Sequence, residues 1–156
     1  GLAPDVAAAA TSVFRRLAAA EAVVHGVSVD EVHFHEVGAA DALADVVGTA
    51  AGLHELGVTR LFVGSVNVGS GTVACEHGVL PVPAPATARL LEGWRTHVAG
   101  PARELTTPTG AALLTALGRQ VAAPPRLRGL SCGRGAGRSD PPGWANLLRL
   151  VVGEAA

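Results

Sequence analysis

Apolar residues open the chain at a helical period. From Pro4-Asp5 onward, Val6, Val13, Leu17 and Val24 share one broad face, while Arg15, Arg16 and Glu21 lie largely off it. His25-Gly26 closes this stretch with a basic residue in the last turn and a residue that tolerates a left-handed cap. The pattern then changes. Val32-His33-Phe34-His35-Glu36-Val37 alternates and predicts a short strand. Helical spacing returns over about 39–56, closed by Gly57, with Leu43, Val46, Val47, Ala50 and Leu53 as its apolar positions.

Residues 61–68 form a β-rich run, broken by Gly69-Ser70-Gly71 and resumed over 72–77, a spacing that suits a hairpin or two strands joined by a tight loop. Pro81-Val82-Pro83-Ala84-Pro85 is stiff and extended and feeds a helix over roughly 85–91. Thr107-Pro108 is an N-cap and first-turn pair for a further helix through Leu117. Beyond Pro124-Pro125, residues 130–137 and 145–152 read as two more strands. The pattern predicts one α/β (or α+β) domain over 1–156, a two-layer sandwich with a mixed β-sheet and about four helices.

Composition sharpens this picture in two ways. Apolar residues make up 49% of the chain but only three Phe and two Trp are aromatic, so the core must be built from Val, Leu and Ala. All twelve basic residues are arginine and the net charge is −1, which leaves no electrostatic footprint for nucleic acid. Cys75 and Cys132 lie far apart without a CxxC, the usage of a reducing compartment, and no run is apolar enough for a membrane span. A cytoplasmic protein is expected. The start at Gly1, directly into a helix, suggests a piece of a longer protein.

The candidate chemistry centres on His33 and His35. On a strand their imidazoles project from one face, about 7 Å apart along the backbone. They could converge on one metal, or simply stand exposed on a sheet edge. Asp41 and Asp45, at i and i+4, form a small and polar stripe with Gly48, Thr49 and Gly52. Asp41 is equally well explained as an acid favoured at a helix start, and His54 on the same helix reads as a surface residue. Cys75 and His77 repeat the two-residue spacing, a thiolate and an imidazole that suit nickel, zinc or copper. A buried thiol beside a strand-end histidine is the alternative.

Gly133, Gly135 and Gly137 alternate, leaving one strand face bare, with Arg134 and Arg138 on the other as planar forks for phosphate. Thr106-Thr107-Pro108-Thr109-Gly110 opens a helix whose free N–H groups could take a phosphate, although ordinary capping also explains it.

Taken together, HFHEVGAADALADVVGTAAGLHELGV, GSGTVACEHGVLPVPAPATARLLEG, ELTTPTGAALLTAL and GRGAGRSDPPGWANLLRLVVGE resemble consecutive blocks of the nickel-insertion family LarC, over about 20–154. The resemblance implies a CTP-dependent nickel chelatase (cyclometallase, a lyase) of nickel-pincer cofactor biosynthesis. Such a protein inserts nickel into pyridinium-3,5-bisthiocarboxylic acid mononucleotide, forms nickel–carbon and nickel–sulfur bonds, and releases CMP and diphosphate. On that basis His33, His35, Cys75 and His77 are assigned to nickel, Glu36 and Asp41 to catalysis, and Thr107, Thr109, Gly110 and Arg134 to the mononucleotide or its phosphate.

The family's glycine-rich amino-terminal strand, its acidic motif and its CTP-handling carboxy-terminal region have no match in the sequence. The chain is therefore expected to be a central part, working with CTP and a divalent metal held by another segment or chain, and forming a homo-oligomer in one arrangement. The alternatives are a non-catalytic domain for ligand binding and assembly, and, more weakly, a metal-dependent hydrolase suggested only by the HxH and the neighbouring aspartates.

Overall fold

The computed structural model describes residues 1–32, 39–75, 78–137 and 139–155. The first helix, α1 (Pro4–His25), starts where Pro4 supplies a preset φ at its first turn and ends where Gly26, at φ 66°, donates to the carbonyls of Ala22 and Val23. Its buried positions Val6, Ala10, Val13, Leu17 and Ala20 follow the expected stripe. Val24 shares that angular position yet is 41% exposed, because the last turn outruns its cover. Glu21 Oε2 and His25 Nε2 lie one turn apart at 3.5 Å.

A short 3₁₀ turn over Val29–Glu31 follows, held by a capping box. Ser28 donates to Glu31 Oε2 from both its backbone N–H (3.0 Å) and its hydroxyl (2.7 Å). These two hydrogen bonds, the hydroxyl's first, hold the Glu31 carboxyl below the ordinary glutamate value. Val32 caps this turn in an extended conformation, and residues 33–37 of the expected strand lie outside the described residues.

Helix α2 (Ala39–Glu55) matches the expected segment. Its buried stripe is Ala42, Val46 and Ala50, whereas Leu43, expected inside, is 51% exposed. The i, i+4, i+8 row of small residues lets α2 lie close to α1, and Leu43 falls one position off that row. The opposite face, Asp41, Asp45, Gly48, Thr49 and Gly52, is exposed as the polar stripe predicts.

The β-rich run divides into β1 (Leu61–Val63) and β2 (Val66–Asn67), and neither pairs with the next strand. Instead β3 (Thr72–Cys75) and β4 (Gly78–Pro81) form an antiparallel hairpin with Cys75 opposite Gly78. Gly69-Ser70-Gly71 is thus not a hairpin turn between strands. It docks against the backbone of residues 102–105, with Ser70 N donating to Arg103 O (3.1 Å) and Gly69 bridged to Glu104.

Helix α3 (Pro85–Leu90), strand β5 (Thr96–His97), helix α4 (Pro108–Leu117) and strand β6 (Gly118–Gln120) follow. The parallel pairs are β1 with β6 and β2 with β5. Helix α1 packs on α2, α3 and α4, and α3 on α4. Between them, Val13, Leu17, Val46, Ala111 and Ala112 have no exposed surface. Burying Leu17 alone is worth about 1.5–3 kcal/mol. Aliphatic side chains dominate this centre among the described residues, as the aromatic-poor composition requires, with Thr87 and Thr115 buried beside them; Phe14 and Trp94 pack against its margin.

The chain ends in a long ribbon, β7 (Leu127–Ala136) with β8 (Leu147–Ala155). Strand β7 overlaps the expected 130–137 but starts earlier, and β8 overlaps the expected 145–152 but starts and ends later. A bulge between Arg128 and Ser131 places Gly129 at φ 59°. The α/β class is as expected, and so are the four α-helices among the described residues. Parallel and antiparallel pairs both occur, distributed among the described residues over four two-stranded ladders. No helix among the described residues is long and apolar enough to cross a membrane.

Candidate functional site

The best-braced polar region lies where β2, the glycine turn and the start of α4 meet. Asn67 organises it. Its Nδ2 donates to Ala99 O (3.0 Å), and its Oδ1 accepts from Gly69 N (3.2 Å) and Ala99 N (3.1 Å). Thr106 Oγ1 donates to Asn67 O at 2.7 Å, and Leu105 N donates to Val68 O at 3.3 Å. The chain entering α4 is thereby fixed to β2 before the helix begins.

Thr107 then caps α4, its Oγ1 accepting from Gly110 N at 3.2 Å. Thr109 and Gly110 sit half-buried in the first turn. The expected N-terminal arrangement is therefore present, with one first-turn N–H already satisfied by the Thr107 hydroxyl.

Cys75 ends β3, half-buried, and forms no disulfide. Asp41 and Asp45 are exposed at the start of α2. Arg134 is exposed on β7. His33, His35, Glu36, His77 and Arg138 lie outside the described residues. Among the described residues no three His, Cys, Asp or Glu side chains gather as a metal site. The described candidates are thus brought together in one place only, at Thr107, Thr109 and Gly110, while Asp41, Cys75 and Arg134 stand on separate elements.

Two features were not foreseen. His97, at the end of β5, meets Ser65 at 2.9 Å between its Nδ1 and the serine hydroxyl, both side chains exposed. Neither residue belongs to a spacing motif, so only the parallel pairing of β2 with β5 could have joined them. Arg149 stands directly opposite Arg134 in the ribbon, a relation fixed by ladder register alone. Separately, a groove of about 430 Å³ is lined by Asp5, Leu53, His54, Arg60 and Leu61 among others. Of the assigned site residues that are described, none lines it, and His54 is exposed there as its surface reading predicts.

Comparison with known proteins places these residues in a family. A model described as nickel insertion protein matches residues 1–156. A protein from a Nocardioides strain named pyridinium-3,5-bisthiocarboxylic acid mononucleotide nickel insertion protein is 53% identical over 155 residues, covering 99% of this chain and 39% of the relative. One of the same name from Desulfitobacterium hafniense is 46% identical over 155 residues, covering 99% of this chain and 38% of the relative. The chain thus spans about two fifths of the length of the curated relatives it matches. No solved structure matches it. Sequence blocks, the similarity to these relatives and a family match running from residue 1 to 156 agree: this chain belongs to the nickel insertion protein family, LarC.

Proposed function

We propose that this chain takes part in nickel insertion into pyridinium-3,5-bisthiocarboxylic acid mononucleotide, gathering the metal ion and the mononucleotide that the reaction joins. The observation that carries this reading is the family match over residues 1–156, together with the name borne by the Nocardioides and Desulfitobacterium relatives. Nickel is here a substrate. His33, His35, Cys75 and His77 are its protein donors, because imidazole and thiolate are the side chains that hold nickel well.

Making a nickel–carbon bond on the ring breaks a carbon–hydrogen bond and releases a proton. Glu36 and Asp41 are the carboxylates assigned to accept it. Thr107, Thr109, Gly110 and Arg134 face the polar end of the mononucleotide, with α4's remaining free N–H groups favouring an anion. The CTP dependence implied by the resemblance, and its divalent metal, are assigned to a region or chain outside these residues. The reaction is accordingly of the lyase type, in a cytoplasmic setting, and the assembly includes that CTP-handling part.

The test is nickel uptake by the chain, measured by elemental analysis and calorimetry with and without the mononucleotide. Replacing both His33 and His35 by Ala is expected to weaken nickel binding by more than tenfold. Unchanged affinity in that double variant removes the histidines from the site. A second reading is favoured by the chain's two-fifths share of its relatives: a domain that holds the mononucleotide while metal chemistry occurs elsewhere. It predicts mononucleotide binding that is indifferent to nickel and to both histidines.

A further inference from the structure

In the ladder of β7 and β8, Arg134 is the direct register partner of Arg149. Alternation from that pair sets Cys132, Arg134 and Ala136 on one face with Val151, Arg149 and Leu147. The two arginines are therefore side by side, with Cβ atoms about 4.5–5.5 Å apart. Both are exposed. Like charges directly opposite in an antiparallel pair are destabilising, and among the described residues neither arginine makes a salt bridge. The same ribbon sets Arg128 opposite Glu154, so the repulsive pair is a local feature and not the character of the whole ladder.

The pair is also accessible and held from one end. Its neighbours along β7 on that face are Cys132 and Ala136, both small. The connection between the strands is anchored to the body. Trp144 lies against Gly100, where a Cβ would come within 2.6 Å of the ring, and Asn146 Nδ2 donates to Ser139 O at 2.8 Å. Arg103 donates to Ser139 from the body side.

We propose that Arg134 and Arg149 form a two-pronged site for a phosphomonoester, the phosphate of the mononucleotide; this rests on the function proposed above. Two guanidinium forks carry two positive charges and present paired N–H groups, matching the charge and the several acceptor oxygens of a phosphate dianion. The thiocarboxylates at the other end of the substrate are sulfur donors for nickel, so the phosphate is the anionic group left to be anchored. Arg149 thereby joins Arg134 as a binding residue.

The probes are nicotinamide mononucleotide, which carries a pyridinium ring and a 5′-phosphate, and nicotinamide riboside, which lacks only the phosphate. Calorimetry on the full chain is expected to show the mononucleotide binding at least about tenfold more tightly than the riboside. Arg134→Gln and Arg149→Gln should each remove about tenfold or more of that preference, the range for a hydrogen bond to a charged group. Arg128→Gln, on the same ribbon, should leave it unchanged. Inorganic phosphate should compete with the mononucleotide in wild-type protein and not in the double variant.

Equal binding of the two probes, no binding of either, or variants that bind as wild type each overturn the proposal. Binding of pyridine-3,5-dicarboxylate through the same two arginines overturns it as well, by assigning the pair to the ring substituents. Nickel uptake measured on the same samples separates the two ideas. Intact nickel binding without phosphate preference refutes the arginine site alone, and phosphate preference without nickel binding refutes the metal assignment alone.

Discussion

Gly69 and Gly71 belong to one turn and have nearly the same backbone conformation, φ 80° and 81°, yet they should respond differently to a methyl group. At Gly71 a Cβ would meet Ala102 at 3.4–3.5 Å, ordinary contact, so Gly71→Ala costs only the left-handed backbone strain. That strain is about 1–2 kcal/mol for a residue with a Cβ. At Gly69 the Cβ would fall 2.0 Å from Arg103 O and 3.0 Å from Leu105 N. These are backbone atoms and can only move with their segment.

Moving that segment would break the hydrogen bonds from Ser70 N to Arg103 O (3.1 Å) and from Leu105 N to Val68 O (3.3 Å). At about 0.5–1.5 kcal/mol net for each bond, Gly69→Ala should cost about 2–5 kcal/mol in all. Against the roughly 5–15 kcal/mol typical of a domain, this is a large fraction. Urea denaturation followed by circular dichroism measures both variants, provided the transition is cooperative. Equal losses in the two variants would refute the reasoning, because the contact with Arg103 would then be worth nothing.

Two smaller predictions follow from side chains. Thr87 on α3 has no exposed surface, and among the described residues its hydroxyl finds no hydrogen-bond partner. Thr87→Val keeps the shape, removes the unsatisfied group and should stabilise the chain by about 1 kcal/mol or more; a drop in melting temperature would show that the hydroxyl has a partner in solution. Glu31 has its carboxyl pKa lowered by Ser28, so the capping box contributes in full above the unfolded-state value and is lost as pH falls through the lower folded value. The Ser28 amide resonance should therefore titrate with a midpoint below the ordinary glutamate range, and Glu31→Gln should abolish that titration. A midpoint at or above the ordinary value contradicts the hydrogen-bonded geometry.

What the sequence made legible was local. Pro4 and Gly26 bracket α1, and Thr107-Pro108 begins α4, because caps and first-turn prolines act within a few residues of themselves. The polar stripe on α2 was readable for the same reason. Pairing was not. Strand β1 has three residues and β2 two, too short for any period, and their partners β6 and β5 lie far along the chain. Gly69-Ser70-Gly71 looks like a hairpin turn because glycines serve equally for a turn and for close backbone approach; only Arg103, distant in sequence, decides between them. Likewise Arg134 stands out in the sequence between alternating glycines, but Arg149 becomes its neighbour only through the register of β8.

That register is itself under tension, which bears on how the ribbon could serve a binding role. Because side chains alternate across a strand, a slip of one residue in β8 would carry Arg149 to the other face and set Leu148 or Leu150 opposite Arg134. A slip would also relieve the repulsion between the arginines, so the observed pairing must be held by something other than the pair. Two features supply that hold. The bulge at 128–131, with Gly129 at φ 59°, fixes the offset near the far end of β7, and the Trp144 contact on Gly100 fixes the connection. The repulsion is thus sustained by the bulge within the ladder and by the anchored connection, and a bound dianion would relieve it in place. Register and ligand would then favour the same pairing, so phosphate binding should tighten the ribbon as well as fill the site.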